Sequence, residues 1–229
     1  ESWGWGVQKP WLKRNSDGKL FGVVEDSFTV DESQVYTGTV ESYWKLKGYG
    51  FIALETKGLV PEDKIFVYYD NLNSADRYPM LQKELKVQFT IAKEVKNGKT
   101  SLTAKNVSLP GGEPIALQDE SDAQKKFVGG QNIRYTGTLK FFQPKGGFGY
   151  VKIDEGFAYD VPDVPKEIRI ETAEVNCGGQ QPGYMSEVKV EFGIWVNSKM
   201  VFKAYNCTAP GGNPLPVGQV EPKAPAAPA

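Results

Sequence analysis

The chain has 229 residues, and its 27 lysines and arginines are balanced by 28 aspartates and glutamates, giving a net charge of −1. Proteins that bind the phosphates of nucleic acids usually have clearly more basic than acidic residues. The balanced charge therefore argues against strong nucleic-acid binding by the chain as a whole. Histidine is absent. The absence of histidine excludes histidine-dependent catalysis and removes the commonest metal ligand. The aspartates and glutamates are dispersed along the sequence and form no pair suited to general acid–base catalysis. We therefore predict a protein that is not an enzyme and needs no cofactor.

Glycine and proline are abundant, at 25 and 15 residues, and aromatic residues reach 12%. This composition favours a β-rich, loop-rich fold. No segment approaches the roughly 20 consecutive apolar residues of a membrane-spanning helix, so no membrane span is predicted. Cys177 and Cys207 are too few for a structural zinc site. We predict that they lie close together, either as buried thiols or as one disulfide.

A repeat of about 100 residues is the most informative feature of the chain. Order and spacing are kept through three matched segments, which indicates two tandem copies of one domain. The matched pairs are Tyr36–Val40 with Tyr135–Leu139, Gly48–Ile52 with Gly147–Val151, and Asn106–Pro114 with Asn206–Pro214.

Each copy predicts five short strands separated by turn residues. Asn97-Gly98 is typical of a tight hairpin turn between the last two strands of the first copy, and Asn197-Ser198 is its counterpart in the second. Five antiparallel strands of this length close most naturally into a small barrel, because closure removes exposed edges. The predicted strands cover residues 35–43, 49–55, 64–69, 85–95 and 99–108, then 134–142, 147–153, 167–172, 187–196 and 199–208.

The repeat divides the chain into five parts. The barrels are predicted at residues 35–117 and 134–216, with a polar, glycine-ended linker at 118–133. Residues 1–34 match neither copy, and their tryptophans Trp3, Trp5 and Trp11 have to be buried on these barrels or on a partner, so we predict a partner-binding arm. Residues 217–229 form an extended tail rich in proline and alanine.

Two segments of the first copy resemble the cold-shock domain family. Lys47–Ile52 (KGYGFI) and Ile65–Tyr68 (IFVY) are similar to the second and third strands of that family, and Gly38–Val40 (GTV) to its first. The resemblance covers about 160 residues across the two copies. It implies an all-β fold of two tandem OB-type barrels, the second degenerate.

The resemblance also implies a nucleic-acid-binding face on the first barrel. Alternation along a strand places its aromatic residues on one outward face, where bases of a single strand can stack while lysines follow the phosphates. The sequence departs from the family at Ser42 and Tyr68, where tryptophan and histidine are usual, and at Glu41 in place of lysine. Tyr43 or Trp44 could substitute for the tryptophan. The predicted site residues are Lys45, Lys47, Tyr49, Phe51, Lys64, Phe66 and Tyr68.

The second copy keeps Phe141, Phe148 and Tyr150 on its first two strands, but Arg169 and Glu171 stand at the two aromatic positions of the third. A carboxylate in a stacking platform repels the phosphates that it should bind. The sequence therefore favours a structural or protein-binding role for this copy.

Two functions remain open from the sequence. One is the binding of single-stranded RNA or DNA through the first barrel. The other is a structural subunit of a large organellar assembly, such as a ribosome, respiratory complex or photosystem, in which the barrels and arms bind other protein subunits. Because the sequence begins at Glu1, we expect an organellar location after removal of a presequence, and otherwise a cytoplasmic one.

Overall fold

The structure is a computed structural model that describes residues 22–218. The predicted partner-binding residues Trp3, Trp5 and Trp11, and most of the predicted tail, lie outside the described residues. The chain divides into two compact units. Within the described residues, the first comprises residues 22–74 and 80–115, and the second comprises residues 75–79 and 116–218.

The first unit is a closed β-barrel. Its five main strands follow one another in the order β2-β3-β4-β6-β5, and pairing of β5 with β2 closes the ring. The β4–β6 pair is parallel and the other four are antiparallel. A short strand β1 adds to the outer edge of β6. The strands are β1 (Val23–Val24), β2 (Tyr36–Trp44), β3 (Tyr49–Leu54), β4 (Lys64–Tyr68), β5 (Lys86–Lys96) and β6 (Lys99–Ser108).

Alternating apolar residues fill the first barrel. Ile52 and Leu54 on β3, Val67 on β4 and Ile91 on β5 are all at most 1% exposed, as expected for the inward side of each strand. At the β5–β6 turn Asn97 and Gly98 have φ values of 53° and 69°. Two consecutive left-handed residues form the type I′ turn that the Asn-Gly pair predicts.

The second unit repeats this architecture. Its barrel has the order β8-β9-β10-β12-β11, closed by pairing of β11 with β8, and again one pair, β10–β12, is parallel. Strand β7 adds to the edge of β11. The elements are helix α1 (Leu117–Ala123) and strands β7 (Lys126–Phe127), β8 (Tyr135–Gln143), β9 (Phe148–Ile153), β10 (Glu167–Glu171), β11 (Met185–Val196) and β12 (Phe202–Thr208).

Two local features differ from the sequence expectation. Residues 118–133, predicted as a linker, contain most of helix α1 and the whole of β7, whose backbone pairs with Trp195 and Val196. The second hairpin is also wider than a two-residue turn, because the Asn197 carboxamide oxygen accepts hydrogen bonds from the backbone N–H groups of Lys199 and Val201. An Asx-type loop therefore replaces the tight turn.

The prediction of an all-β chain with two tandem five-stranded OB-type barrels is confirmed. Cys177 and Cys207 are buried free thiols, and the backbone N–H of Asn176 donates to the Cys207 carbonyl, which brings the Cys177 segment beside β12. Within residues 22–218, no helix has the length and apolar character needed to cross a membrane.

Candidate nucleic-acid interface

Five aromatic side chains form one cluster on the outer side of β2, β3 and β4. The Trp44 ring centroid lies 5.1 Å from that of Tyr49 and 6.1 Å from that of Phe51. Phe66 lies 5.7 Å from Tyr49 and 5.9 Å from Phe51. The Tyr68 ring is stacked at 6.5 Å from Phe66 with 16° between the planes. We call these five residues the aromatic cluster.

Strand register explains why the sequence builds this cluster. Tyr49 lies opposite Tyr68, and Phe51 lies opposite Phe66, in the antiparallel β3–β4 pair. Residues directly opposite each other share a face, while Val67, between Phe66 and Tyr68, is fully buried in the barrel core. The structure thus brings together the four aromatic residues that the sequence predicted as a set.

Trp44, which the sequence offers only as a possible substitute for the family's tryptophan, is not among the predicted site residues. A bulge in the β2–β3 ladder between Val40 and Ser42 shifts the register, so that Trp44 lies opposite Tyr49. The signal that could have located it is Gly50. A Cβ atom there would lie 2.1 Å from the Ser42 carbonyl oxygen, so the glycine lets β2 approach closely at the bulge.

The rings of the cluster differ in exposure. Tyr49, Phe51 and Phe66 are 5%, 7% and 6% exposed, whereas Trp44 and Tyr68 are half-buried. A base can stack only on an open ring face. Trp44 and Tyr68 therefore expose more ring surface to a base than the other three rings of the cluster do.

The three predicted lysines lie near the cluster and differ in their exposure and ion pairing. Lys45 and Lys47 are exposed on the connection between β2 and β3. The Lys64 ammonium lies 2.7 Å from the carboxylate of Glu41, the acidic residue that departs from the family pattern. This pair reduces the attraction of Lys64 for a phosphate, whereas Lys45 and Lys47 are exposed next to Trp44.

The tyrosines of the cluster remain neutral at physiological pH. Burial raises the pKa of the Tyr49 hydroxyl above its usual value. Burial also raises the pKa of Tyr68, and the neighbouring Tyr69 and Asp70 add to the effect. Neutral phenols keep an O–H donor and add no negative charge that would repel phosphate.

The second barrel carries a different set of side chains on the matching strands. The Phe141 ring lies 6.1 Å from Phe148 and 5.8 Å from Tyr150. The Arg169 guanidinium carbon is 4.4 Å from the centroid of the Phe148 ring, which is a cation–π contact. All four side chains are half-buried. This face therefore combines aromatic rings with a cation held flat against one of them.

The carboxylate that the sequence placed in this face is neutralised. Glu171 forms an ion pair with Lys203 of β12 at 2.9 Å. Arg169 and Lys203 are Cα partners in the parallel β10–β12 pair, so two cations flank the one acid. Across residues 22–218 there is no grouping of cysteine, aspartate and glutamate side chains suited to holding a metal ion.

A comparison with protein families finds a match in the first barrel. The family described as 'Cold-shock' DNA-binding domain matches residues 36–110. Among solved structures, Drosophila Unr CSD456 is similar, with 16% identity, a TM-score of 0.27 and coverage of 78% of this chain and 63% of that one. A multidomain protein with nucleic acid binding domains from Streptococcus pneumoniae has 15% identity, a TM-score of 0.24 and coverage of 84% and 57%. The chain thus spans less than two thirds of either. No curated protein matches.

The strand order, with one parallel pair in each closed ring, defines a tandem of two OB-type barrels. The first of these, at residues 36–110, is a cold-shock domain, and the second repeats its topology with a diverged outer face.

Proposed function

We propose that this protein binds single-stranded nucleic acid through the aromatic cluster of its first barrel. The observation that carries the proposal is the cluster itself, five rings on three adjacent strands of a domain whose family is described as DNA-binding. Bases would stack on Trp44 and Tyr68 first, and then on the inner rings as these become uncovered. Removing a stacking ring costs about 1–3 kcal/mol per base.

The lysines beside the cluster supply the phosphate contacts. Lys45 and Lys47 lie on the connection that follows Trp44, and Lys64 lies on β4, two residues before Phe66. Each phosphate contact to single-stranded nucleic acid contributes about 0.7 to the slope of log K against log salt. Replacing Lys45 and Lys47 by glutamine should therefore reduce that slope by about 1.4.

The test is a titration of a fluorescently labelled single-stranded oligonucleotide with the full chain. We expect the Tyr49→Ala/Phe66→Ala variant to bind about 30-fold to 25,000-fold more weakly than the parent chain, if two stacked bases are lost. Lys57→Gln is the matched control, since Lys57 is an exposed lysine of the same barrel on the β3–β4 connection.

Equal affinities for the parent chain and the aromatic double variant, with circular dichroism unchanged, would overturn the proposal. An effect as large for the Lys57→Gln control would show that binding depends on general charge and not on the cluster.

A second candidate function is the binding of another protein by this face. It is favoured by the aromatic, charge-free composition of the cluster, since aromatic residues are enriched and charged residues depleted at the centres of protein–protein interfaces. Purification of the native protein with and without nuclease separates the two. Partners lost after nuclease treatment support the nucleic-acid function, and partners retained support the protein-binding function.

A further inference from the structure

In the first barrel, the short strand β1 covers the outer edge of β6. Val23 lies opposite Ser101 in the antiparallel β1–β6 pair. The Leu102 N–H donates a hydrogen bond to the Gly22 carbonyl at 3.1 Å. The cavity that remains at this place, bordered by Gly22, Phe66 and Ser101, has a volume of about 10 Å³. The β6 edge is therefore filled by a strand.

The second barrel has no strand at the corresponding edge of β12. The two edges correspond because the one parallel pair in each ring joins β6 through Thr103 in the first barrel and β12 through Lys203 in the second. Phe202 therefore takes the place of Leu102. Within residues 22–218, the strands that pair with β12 are β10 and β11. The flanking strand of this unit, β7, pairs with β11 instead. The edge of β12 that precedes its pair with β10 is thus left open.

The backbone of this open edge is directed outward. The Asn197 N–H donates a hydrogen bond to the Val201 carbonyl at 3.1 Å across the β11–β12 hairpin. Since neighbouring residues of an antiparallel strand direct their backbone groups to opposite edges, the Phe202 N–H points away from β11. It occupies the position of the Leu102 N–H, which in the first barrel is bound to Gly22. A strand added here would accept a hydrogen bond from Phe202, which is the binding mode called β-augmentation.

A groove of about 620 Å³ lies along this edge. Met200 and Val201 border it and are 59% and 44% exposed. Proteins usually protect an open strand edge with charged side chains or cover it, and these two apolar residues do neither. Pro162 and Pro165 of the β9–β10 connection also border the groove. The lining therefore suits an extended segment with β-branched apolar side chains, such as Val23–Val24 of β1.

The charges of the groove favour a basic occupant. Asp163 and Glu167 line it against the single cation Arg169. Glu167 is paired with Lys140 at 2.9 Å. Among the described residues, Asp163 is therefore the groove carboxylate that is left for a lysine or arginine of the occupant. The same carboxylates would repel the phosphates of a nucleic acid, so the groove suits a basic peptide segment.

We propose that the β12 edge at Met200–Phe202 binds an extended segment of another protein by β-augmentation. The segment places two β-branched apolar residues against Met200 and Val201, and a lysine or arginine near Asp163. Another chain has to supply it, because β1 and β7, the two flanking strands of the described chain, already pair with β6 and β11. The site uses no residue of the aromatic cluster, so it does not depend on the proposed nucleic-acid binding.

The probe is a fluorescent peptide, Lys-Leu-Phe-Gly-Val-Val-Lys-Lys-Ser, which copies residues 19–27 with Glu25 and Asp26 replaced by lysine. We expect Val201→Lys in the full chain to weaken its binding at least about 10-fold, because the lysine removes an apolar contact and repels the basic peptide. Val217→Lys is the matched control, since Val217 is also 44% exposed but does not border the groove.

Two further comparisons separate the backbone contact from the charge. A peptide with proline at both valine positions should not bind, because proline lacks the N–H and cannot pair as a strand. Asp163→Asn should weaken binding of the original peptide about 2-fold to 5-fold, as expected for the loss of an exposed ion pair.

Amide hydrogen exchange, measured by NMR on the unmodified full chain, tests the hydrogen bond directly. The Phe202 N–H should exchange faster than the Leu102 N–H in the free chain, and saturating peptide should slow its exchange at least about 10-fold. The proposal is overturned if the peptide does not bind, if Val201→Lys binds it as tightly as the parent chain, or if the exchange of Phe202 is unchanged in the complex. Protection of Phe202 before peptide is added would also overturn it. Residues 1–21 would then be the occupant if this protection is independent of protein concentration, and a second copy of the chain if it is not.

Discussion

A buried ion network in the second unit allows a sharp test of its stability. Asp122 at the end of α1 accepts hydrogen bonds from Arg77 at 2.9 and 3.0 Å, from Lys125 at 2.5 Å and from the Tyr205 hydroxyl at 3.0 Å. Glu174 completes the network by pairing with Arg77 at 2.9 Å and with Lys125 at 3.2 Å. The four charged side chains are 7–10% exposed. Two cations and two anions thus balance in a nearly dry site.

Replacing Asp122 by alanine leaves this site with one uncompensated positive charge. Removal of one partner from a buried ion pair typically costs about 3–5 kcal/mol. Arg77 and Lys125 both keep Glu174 as a partner, so we expect the lower part of that range. The Arg77 guanidinium also rests 4.9 Å from the Tyr205 ring centroid, and this cation–π contact remains in the variant.

The measurement is hydrogen exchange of the full chain, followed by mass spectrometry on peptides from β11 and β12. We expect the free energy of opening for these peptides to fall by about 3 kcal/mol in Asp122→Ala. Lys140→Ala is the control, because it removes an ion pair in which both side chains are 43% exposed and should cost less than about 1 kcal/mol. Equal losses in the two variants would refute the assignment of the network as a major support of this unit.

Two further predictions concern packing and pH. Gly149→Ala should destabilise the second unit by about 3 kcal/mol in urea unfolding, because the new Cβ would lie 2.1 Å from the Phe141 carbonyl oxygen; an unchanged midpoint would contradict this. Burial raises the pKa of the Cys207 thiol from 9.0 to about 12. The folded state holds this proton more tightly, so its stabilising effect is present below pH 9 and is lost between pH 9 and 12. Unfolding free energies measured from pH 8 to 11 should decline less steeply in Cys207→Ala than in the parent chain. The same decline in both would show that Cys207 does not cause this pH dependence.

The fold could be predicted from the sequence because the patterns that indicate it are local. Strand alternation, the Asn97-Gly98 turn and the repeat of about 100 residues each depend on residues near one another or on direct comparison of two segments. Helix α1 was missed since its residues read as a polar linker. It carries no apolar stripe, and Asp122 joins it to Arg77 through charges that only the tertiary structure brings together.

The candidate sites were less accessible because each depends on register or distant pairing. Trp44 joins its cluster through a bulge that shifts the ladder by one position. The sequence alone predicts that Glu171 places an unpaired carboxylate in the outer face of the second barrel. In the structure Glu171 is paired with Lys203, which is 32 residues away on the neighbouring parallel strand. A parallel contact of this kind leaves no periodic signal in the sequence.

The net charge of −1 does not describe the charge at the candidate binding face of the first barrel. On the first barrel Lys64 is paired with Glu41 and the ring cluster itself is uncharged, so stacking would supply most of its affinity. The salt dependence of binding should therefore come from Lys45 and Lys47 and not from the rings. Salt titration of the Tyr49→Ala/Phe66→Ala variant should give a weaker affinity at every salt concentration, with an unchanged slope of log K against log salt. A slope reduced as much as in the variant that replaces Lys45 and Lys47 by glutamine would mean that the rings and the lysines do not contribute separately.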